Sequence, residues 1–332
     1  MSKSRLITLA WIFGAAIVLE GAPLDVRAAE PHAADAYPFE LDSDHSVGRP
    51  VAQGPLAVFP LYRKVRSAAA EYLTLDEATK QKTIRIREKD GGSVPVVTIS
   101  NKGKLPIYVA AGEVILGGKQ DRMISADVLI KPGATMTVDV RCVEQGRWHG
   151  SSKEFKSAGA MGGNRTKMAV QFRGQGEVWR EVAEQNADNH AQSSSGSYRA
   201  SLTDAGIGKR LQRYAEVLLP GIEGRNAVGM IVAINGKVHA IEIFGSPGLF
   251  AKMRRKLLDS YAMESLTVED LGKRPPRNAE IVAFYHSVLL ARAEEARRYK
   301  HNMNMKRENA DGALNDSTDE EGELIHRSLL AH

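Results

Sequence analysis

The chain has 332 residues, of which 43% are hydrophobic and 26% are charged, which is sufficient for one large or two modest domains with a hydrophobic core. Its net charge of +5 is too small to indicate nucleic acid as a partner. The only cysteine is Cys142, which excludes an intramolecular disulfide.

The N-terminus has the pattern of a cleavable signal peptide. Lys3 and Arg5 precede an apolar run at 6–19, and Val26-Arg27-Ala28 provides the residues that a signal peptidase reads. The run is shorter than the roughly 20 apolar residues of a membrane-spanning helix, so an uncleaved anchor is the weaker alternative. We therefore predict a signal peptide at 1–28, a mature protein that begins at Ala29 and is periplasmic or secreted, and no membrane association after cleavage.

A β-rich region follows a short N-terminal arm. Residues 29–53 are rich in Ala, Pro, Asp and His without a sustained period, which predicts an arm with little structure. Apolar or alternating segments then predict strands at 56–61, 83–87, 94–99, 106–115, 123–130 and 135–144. Gly and Asn residues at 90–92 and 101–104 predict turns between antiparallel strands. The spacing predicts a sandwich- or barrel-like half at 54–150.

The last of these strands has two distinct faces. Period-2 alternation places Met136, Val138, Val140 and Cys142 on one face, and the same register carries Glu144 to that face. The face is apolar, so it is expected to be buried.

Helices and a hairpin follow in the second half. Gly, Ser and Asn runs predict a mobile loop at 159–200 with one short helix near 178–183. The helix/hairpin/helix half at 205–300 has predicted helices at 211–219, from Ser246 onward and at 278–298, and predicted strands at 228–234 and 237–244 joined by Asn235-Gly236. A C-terminal strand is predicted at 323–330. The predicted fold class is α+β: an antiparallel β-rich core with a C-terminal β-hairpin and packed helices.

Three Gly-rich polar segments predict a functional site, at 111–113, 117–122 and 142–148. Glycine lets the backbone approach a ligand closely. Polar groups that lie beside apolar strands need hydrogen-bond partners, which a ligand can supply. The predicted ligand-binding residues are Lys119, Gln120, Asp121, Arg122, Arg147 and Trp148. An excess of basic over acidic residues between 141 and 180, including Arg141 and Arg173, also favours an anionic ligand.

Three further residues of these segments have two interpretations each. Glu113 and Glu144 are either a carboxylate pair for acid–base catalysis or members of a buried ionic network that fixes the sheet. Cys142 is either a nucleophile activated by Arg147 or His149, or a small buried hydrophobe. A reactive Cys142 predicts rapid alkylation of the native protein.

Common catalytic and phosphate-binding motifs are absent from the sequence. Gly118 occupies the lysine position of a P-loop that would begin at Gly112, and Leu211 replaces the third glycine of a dinucleotide fingerprint at 206–211. Neither a Gly-x-Ser-x-Gly elbow nor a zinc motif occurs, so no metal site is predicted. No pattern specifies a cofactor or an oligomeric state. In the predicted hairpin, His239 and Glu242 are expected on opposite faces.

The chain resembles the ARPP-1 family, a domain named for its association with ADP-ribosylglycohydrolase and rhodanese-phosphatase proteins. The resemblance rests on Ala111-Gly112-Glu113, the Gly117–Arg122 and Cys142–Trp148 segments, and Phe244-Gly245-Ser246-Pro247, and it covers roughly residues 54–330. It implies a link to ADP-ribose or NAD metabolism by association. The predicted signal peptide departs from that intracellular setting.

Two hypotheses of function follow. The first is an exported protein whose polar pocket binds a small anionic ligand, with Lys119 and Arg122 holding the anion and Glu113 or Glu144 acting as a base. The second is a periplasmic interaction or structural module in which the same residues pair with one another and only fix the fold.

Overall fold

The computed structural model of the chain describes residues 36–64, 71–89, 95–150 and 152–332. Its architecture is α+β, which confirms the predicted fold class. Within these ranges no helix has the length and apolar character needed to cross a membrane. The predicted signal peptide at 1–28 and the predicted turn at 90–92 lie outside the described residues.

The strands in chain order are β1 (Phe39–Glu40), β2 (His45–Val47), β3 (Val51–Gln53), β4 (Leu56–Arg63), β5 (Leu73–Thr74), β6 (Ile84–Glu88), β7 (Val96–Asn101), β8 (Ile107–Val109), β9 (Glu113–Gly117), β10 (Arg122–Ile124), β11 (Val128–Ile130), β12 (Thr135–Cys142), β13 (Glu154–Met161), β14 (Ala227–Ile234), β15 (Lys237–Phe244), β16 (Ala293–Arg298), β17 (Met303–Glu308), β18 (Gly312–Thr318) and β19 (Leu324–Ala331). The helices are α1 (Leu75–Lys80), α2 (Asn164–Phe172), α3 (Gln175–Asp188), α4 (Arg199–Thr203), α5 (Ala205–Leu218), α6 (Pro247–Ser265) and α7 (Asn278–Leu289), with a 3-10 helix at Leu219–Ile222.

The largest unit is a ten-stranded sheet. Its strands follow the order β1-β2-β4-β14-β15-β19-β18-β17-β16, and β3 also pairs with β4. Helix α6 packs on one face through Phe250 and Leu257, and α7 packs on the other through Ile281 and Tyr285. Apolar residues therefore cover both faces of the central strands of this sheet.

A closed six-stranded barrel, β10-β12-β7-β6-β13-β9, lies beside the sheet, with a third, three-stranded sheet of β11, β8 and β5. Ile99, Ile124 and Val138 belong to the apolar core of the barrel side. Helices α2 and α3 cover the outer wall of β9 and β10, where Val170 and Val178 join the same apolar cluster as Val114 and Met123. Of the two predicted arrangements, a sandwich or a barrel, the structure has the barrel.

Several local predictions are confirmed. Met136, Val138, Val140 and Cys142 are buried on one face of β12. Asn235 and Gly236 join β14 to β15 with φ values of 47° and 77°, as a type I′ turn requires. Ser246 caps α6, since its hydroxyl accepts a hydrogen bond from Leu249 N at 3.1 Å.

The prediction of an unstructured arm at 29–53 is wrong for its described part, 36–53. Strands β2 and β3 pair with opposite ends of β4, and Leu41 and Val47 are buried beside Phe59. The polar composition concealed these short strands because each has only one or two residues that face the core.

The helix predicted near 178–183 is present as part of α3, but the prediction of a mobile loop over the rest of 159–200 is wrong, because α2 and α3 occupy most of the segment. The polar residues that suggested a loop are internal hydrogen-bonding groups: Asn186 Nδ2 donates to Ser197 O at 3.0 Å, and Ser201 Oγ donates to Asn186 Oδ1 at 2.8 Å. Burial of hydrogen-bonded Asn and Ser side chains is stable where every polar atom has a partner.

Two connections also differ from prediction. Helix α7 ends at Leu289, and the end of the predicted 278–298 helix forms β16. Residues 101–104 form no hairpin, because they link β7 of the barrel to β8 of another sheet. Asn101 Nδ2 donates to Leu105 O and Ile130 O, each at 2.8 Å, and so ties this connection to the end of β11. Likewise the predicted 123–130 strand is divided between β10 and β11.

Candidate functional site

Two of the polar segments meet at one end of the barrel. Strand β10 pairs with both β9 and β12, which places Arg122 opposite Ile115 and Cys142. The loop before β10 therefore lies beside the chain that leaves β12. Arg147 bridges them, because its Nη1 donates to Gly118 O at 2.8 Å.

Asp121 is the centre of a buried ionic network there. Its carboxylate is 1% exposed and accepts hydrogen bonds from Arg199 Nε at 2.9 Å and Nη2 at 2.7 Å, and from Arg147 Nη2 at 3.3 Å. Glu144 accepts hydrogen bonds from Arg147 Nε at 2.9 Å and from Ser195 Oγ at 2.7 Å. Burial alone would raise the pKa of Glu144, but these hydrogen bonds hold it below its usual value. The charged groups of this network satisfy one another.

Arg122 is buried at the same end of the barrel, beside the single thiol. Its Nη1 donates to Gln120 Oε1 at 3.0 Å and contacts Cys142 Sγ at 2.7 Å, while Gln120 Nε2 donates to Glu144 O at 2.6 Å. No ion pair between Arg122 and a carboxylate occurs in the described ranges, and its buried Nε has no hydrogen-bond partner there. This guanidinium is held by an amide and a thiol.

Glu113 lies in a different environment from Glu144. Strand β9 separates it from Gly117 by about 13 Å of extended chain. Its carboxylate accepts from Ala110 N at 2.8 Å and forms an ion pair with Lys256 of α6, which also binds Asp76. Burial raises the pKa of Glu113 and Lys256 partly offsets that effect. The two glutamates therefore do not form the catalytic pair that the sequence suggested.

Trp148 and Lys119 form the exposed edge of the motif. The Trp148 side chain is 53% exposed, and Lys119 Nζ lies 5.5 Å from the centre of its ring, within cation–π range. Lys119 N donates to Glu88 Oε1 at 2.6 Å. Of the predicted ligand-binding side chains, Trp148 is the most exposed, and Lys119 and Arg147 are half-buried.

A cleft of about 260 Å³ lies on the outer face of β12, opposite the face that carries Cys142. It runs between β12, the C-terminal end of α2 and strands β16 and β17. Its charged lining residues are Arg141, Arg173, Arg297, Lys306, Asp139 and Glu295. The cleft is therefore more basic than acidic.

Most of these cations have acidic partners. Arg297 Nη2 lies 2.7 Å from Asp139 Oδ2, and Lys306 Nζ lies 3.3 Å from Glu295 Oε2. Arg173 forms an ion pair with Glu308, outside the cleft. No acid within the described chain forms an ion pair with the remaining cation, Arg141, whose side chain makes only a 3.4 Å hydrogen bond to Val140 O.

A family model described as the ARG and Rhodanese-Phosphatase-superfamily-associated Protein domain, ARPP-1, matches residues 44–330. The chain belongs to the ARPP-1 family. The match covers most of the chain and includes the barrel, the cleft and the strands of the ten-stranded sheet other than β1, so these are parts of one ARPP-1 domain. No curated protein and no solved structure matches the chain.

Cys142 of the ARPP-1 domain has the surroundings expected of a small buried residue. Cys142 is fully buried, and burial raises the pKa of its thiol despite the nearby Arg122. Gln175 covers its main chain with two hydrogen bonds. A raised pKa and burial both reduce the reactivity of a thiol.

The ARPP-1 domain also contains a buried ionic cluster that was not predicted from the sequence. His326 lies between two acids, with Nδ1 2.9 Å from Asp127 Oδ2 and Nε2 2.7 Å from Glu242 Oε2. Lys167 Nζ donates to the other Glu242 oxygen at 2.6 Å and to Tyr261 OH at 3.0 Å. These side chains come from α2, α6, β15, β19 and the β10–β11 connection, so the cluster joins the barrel to the large sheet.

The cluster shifts the pKa values of its members strongly. Burial alone would lower the pKa of His326, but Asp127 and Glu242 raise it to about 9. Burial alone would raise the pKa of Glu242, but Lys167 and His326 lower it to about 2. Across the residues that the structure describes, no group of three or more His, Cys, Asp or Glu side chains is arranged to hold a metal ion. The cluster is a hydrogen-bonded ionic core.

One sequence signal pointed toward this core. Glu242 interrupts the otherwise apolar C-terminal half of β15, and a charge at such a position requires a partner. The expectation that His239 and Glu242 face opposite ways is wrong, because a β-bulge interrupts the β14–β15 register near His239. Both side chains bond to α6, His239 to Glu264 and Glu242 to Tyr261.

Proposed function

We propose that this ARPP-1 protein binds a small anionic ligand in the cleft between β12, α2 and β16–β17. The observation that carries the proposal is Arg141, a cation in that cleft without an acidic partner among the described residues. Asp139, Glu295 and Glu308 already neutralise the other three cations. One positive charge therefore remains for a ligand.

Two buried polar atoms in the cleft support a ligand at that position. Arg141 Nε and Gln171 Oε1 are both shielded from solvent, and neither has a hydrogen-bond partner within the described ranges. Buried polar groups are almost always paired in native proteins. A ligand with an anionic acceptor oxygen and a hydroxyl donor would satisfy both.

The dimensions of the cleft indicate a small ligand. A volume of about 260 Å³ lies near the lower end of the range for small-molecule pockets. Val170 and Phe172 supply an apolar wall beside the charged residues. This combination fits a phosphorylated or carboxylated metabolite, and the family name makes ADP-ribose a reasonable member of the test set.

The motif residues are assigned a structural role in this proposal. Asp121, Glu144 and Arg147 bond to one another and to Arg199, which leaves no charge of that network for a ligand. Binding is proposed without a reaction, because both acids that line the cleft are engaged in ion pairs.

Thermal shift with inorganic phosphate, ADP-ribose and a sugar phosphate tests the cleft. We expect at least one of these anions to raise the melting temperature, and we expect Arg141→Gln to weaken that ligand by about tenfold or more, since a charge-assisted hydrogen bond contributes about 1.5–3 kcal/mol. Arg213→Gln is the matched control, because Arg213 is exposed on α5 and makes no ion pair within the described chain.

A second variant separates the cleft from the motif. Trp148→Ala changes an exposed side chain of the motif and should leave the ligand affinity unchanged. A loss of affinity in Trp148→Ala with normal affinity in Arg141→Gln would move the site to the motif and contradict the cleft. Equal affinity in all four proteins, or no shift with any anion, would contradict the proposal as well.

Export to the periplasm or the medium is a separate part of the proposal, supported by the N-terminal pattern at 1–28. We expect the protein recovered from a periplasmic or secreted fraction to begin at Ala29, as read by N-terminal sequencing and intact mass. A full-length chain that begins at Met1 and stays in the cytoplasm would contradict export while leaving the cleft proposal unaffected.

A further inference from the structure

A polar face continues from the inner wall of the cleft into the interior of the protein. Lys306 and Asn304 of β17 line the cleft. Asn315 of β18 lies directly opposite Lys306, and Ser328 of β19 lies directly opposite Asn315. Residues paired in this way on antiparallel strands point to the same face, with Cα atoms about 4.5–5.5 Å apart. Lys306, Asn315 and Ser328 therefore form one row that leads inward from the cleft.

Helix α2 covers this row with a polar stripe of its own. Asn164, Lys167 and Gln171 are spaced three and four positions apart, so they share one side of the helix, and all three are buried. At the start of the helix, Asn164 Nδ2 donates to Ala331 O of β19 at 2.8 Å. At its end, Gln171 O accepts from Lys306 Nζ of β17 at 2.6 Å. The interface between α2 and these strands is therefore both polar and buried.

Buried oxygens without partners follow this interface inward from the cleft. Gln171 Oε1, Asn315 Oδ1 and Ser328 Oγ have no hydrogen-bond partner among the residues that the structure describes. The three residues are 5%, 1% and 4% exposed. Asn315 Nδ2 donates to Asn304 Oδ1 at 3.1 Å, which fixes the orientation of this amide and leaves its oxygen unpaired. Buried polar atoms are paired in nearly all native proteins, so a partner is expected here.

The chemistry of these atoms identifies the kind of partner. Amide oxygens only accept hydrogen bonds and a serine hydroxyl can accept or donate, so the matching group must be a donor. Ionised phosphate and carboxylate groups have no hydrogen to donate, and they fit the guanidinium of Arg141 instead. A sugar or polyol hydroxyl donates and accepts, and it carries no charge whose burial would be costly. Hydroxyl groups therefore fit the inner oxygens, and an anionic group fits Arg141.

We propose that the ligand of the cleft is a polyhydroxylated anion of the sugar phosphate type, an inference that rests on the anion binding proposed above. Its anionic group pairs with Arg141. Its hydroxyl groups bond first to Gln171 Oε1 and then, along the row, to Asn315 Oδ1 and Ser328 Oγ. These three residues determine specificity, because they distinguish a hydroxylated anion from an alkyl anion of the same length.

Calorimetric titration with chain-matched pairs of phosphates tests this assignment. Glucose 6-phosphate is compared with hexyl phosphate, and glycerol 3-phosphate is compared with propyl phosphate, with inorganic phosphate as the bare anion. We expect at least one hydroxylated phosphate to bind about tenfold or more tightly than its alkyl counterpart, since each neutral hydrogen bond contributes a factor of about 2–12 in affinity.

Two variants locate the hydroxyl contacts. Gln171→Met and Ser328→Ala each remove one unpartnered oxygen, so each should weaken the hydroxylated phosphate about three- to tenfold and leave inorganic phosphate and the alkyl phosphate unchanged. The melting temperature without ligand should not fall, because neither oxygen bonds to the described part of the chain. Gln53→Met is the matched control, since Gln53 Oε1 is also unpartnered but lies on β3, toward the opposite edge of the sheet from β17.

Three results would overturn this inference and leave anion binding in the cleft intact. The first is binding that depends on Arg141 but in which neither hydroxylated phosphate exceeds its alkyl counterpart. The second is a preference for hydroxylated phosphates that neither Gln171→Met nor Ser328→Ala reduces. The third is equal weakening of hydroxylated and alkyl phosphates by these variants. Absence of binding by all five phosphates, or binding that Arg141→Gln does not weaken, would overturn the proposed function and this inference together.

Discussion

Raising the pH from 6.5 to 9 is expected to lower the free energy of unfolding by about 3 kcal/mol through His326 alone. The pKa of His326 is raised from 6.5 to about 9 in the folded protein. A raised pKa in the folded state means that its stabilising effect is complete below the unfolded pKa. That effect is lost as the pH rises through the folded pKa, so stability falls with increasing pH across this window.

Urea denaturation at a series of pH values measures this effect, with two variants for comparison. His326→Gln removes the imidazolium between Asp127 and Glu242, so it should lower stability and flatten the fall of stability with pH in this window. His149→Gln changes an exposed histidine without side-chain partners in the described chain and should keep the unchanged protein's profile. A profile for His326→Gln as steep as that of the unchanged protein would contradict the assignment.

Replacing Asp121 by alanine is expected to cost about 3 kcal/mol of stability. Its carboxylate is 1% exposed and accepts hydrogen bonds from Arg147 and Arg199, and removal of one partner from a buried ion pair typically costs 3–5 kcal/mol. The value lies at the low end because the Arg199 side chain is 43% exposed and can recover water. Chemical denaturation measures the change.

Asp259→Ala is the matched control for Asp121→Ala. Asp259 also binds an arginine through both carboxylate oxygens, but the Arg255 and Asp259 side chains are 46% and 29% exposed and so are screened by water, and loss of the pair should cost less than about 1 kcal/mol. If Asp121→Ala kept normal stability and lost anion binding, the motif would be a binding site and its structural assignment would be wrong. We expect a less stable protein that still binds the anion.

The features of the fold that were predicted correctly depend on residues close together in the sequence. The turn at Asn235-Gly236 and the cap at Ser246 each depend on residues within a few positions along the chain, and both are present in the structure. The buried face of β12 follows from period-2 alternation, which the apolar core of the barrel enforces.

Long-range pairing explains the main errors. The segment Ala293–Arg298 contains strong helix formers, yet it is a strand because β17 pairs with it and tertiary context overrides intrinsic preference. His239 and Glu242 contact the same helix because a β-bulge interrupts the alternation of side chains between the two faces of β15, which we assumed to be regular. Neither pairing partner nor bulge is visible from local composition.

None of the predicted catalytic or ligand-binding residues lines the cleft, and only the basic excess pointed toward it. Arg141 and Arg173 belonged to the basic excess that favoured an anionic ligand, and both line the cleft. Arg297 and Lys306 come from strands more than 100 residues later and could not be grouped with them from sequence. His326 and Asp127 likewise meet across a separation of 199 residues, so the ionic core could not be predicted without knowledge of the fold.

Calorimetric titration of the anion that gives the largest thermal shift tests the central claim most directly, with the unchanged protein, Arg141→Gln and Arg213→Gln compared at low and high salt. The cleft predicts saturable binding to the unchanged protein and to Arg213→Gln, weaker binding at high salt, and at least about tenfold weaker binding to Arg141→Gln. Identical binding curves for Arg141→Gln and Arg213→Gln would contradict it.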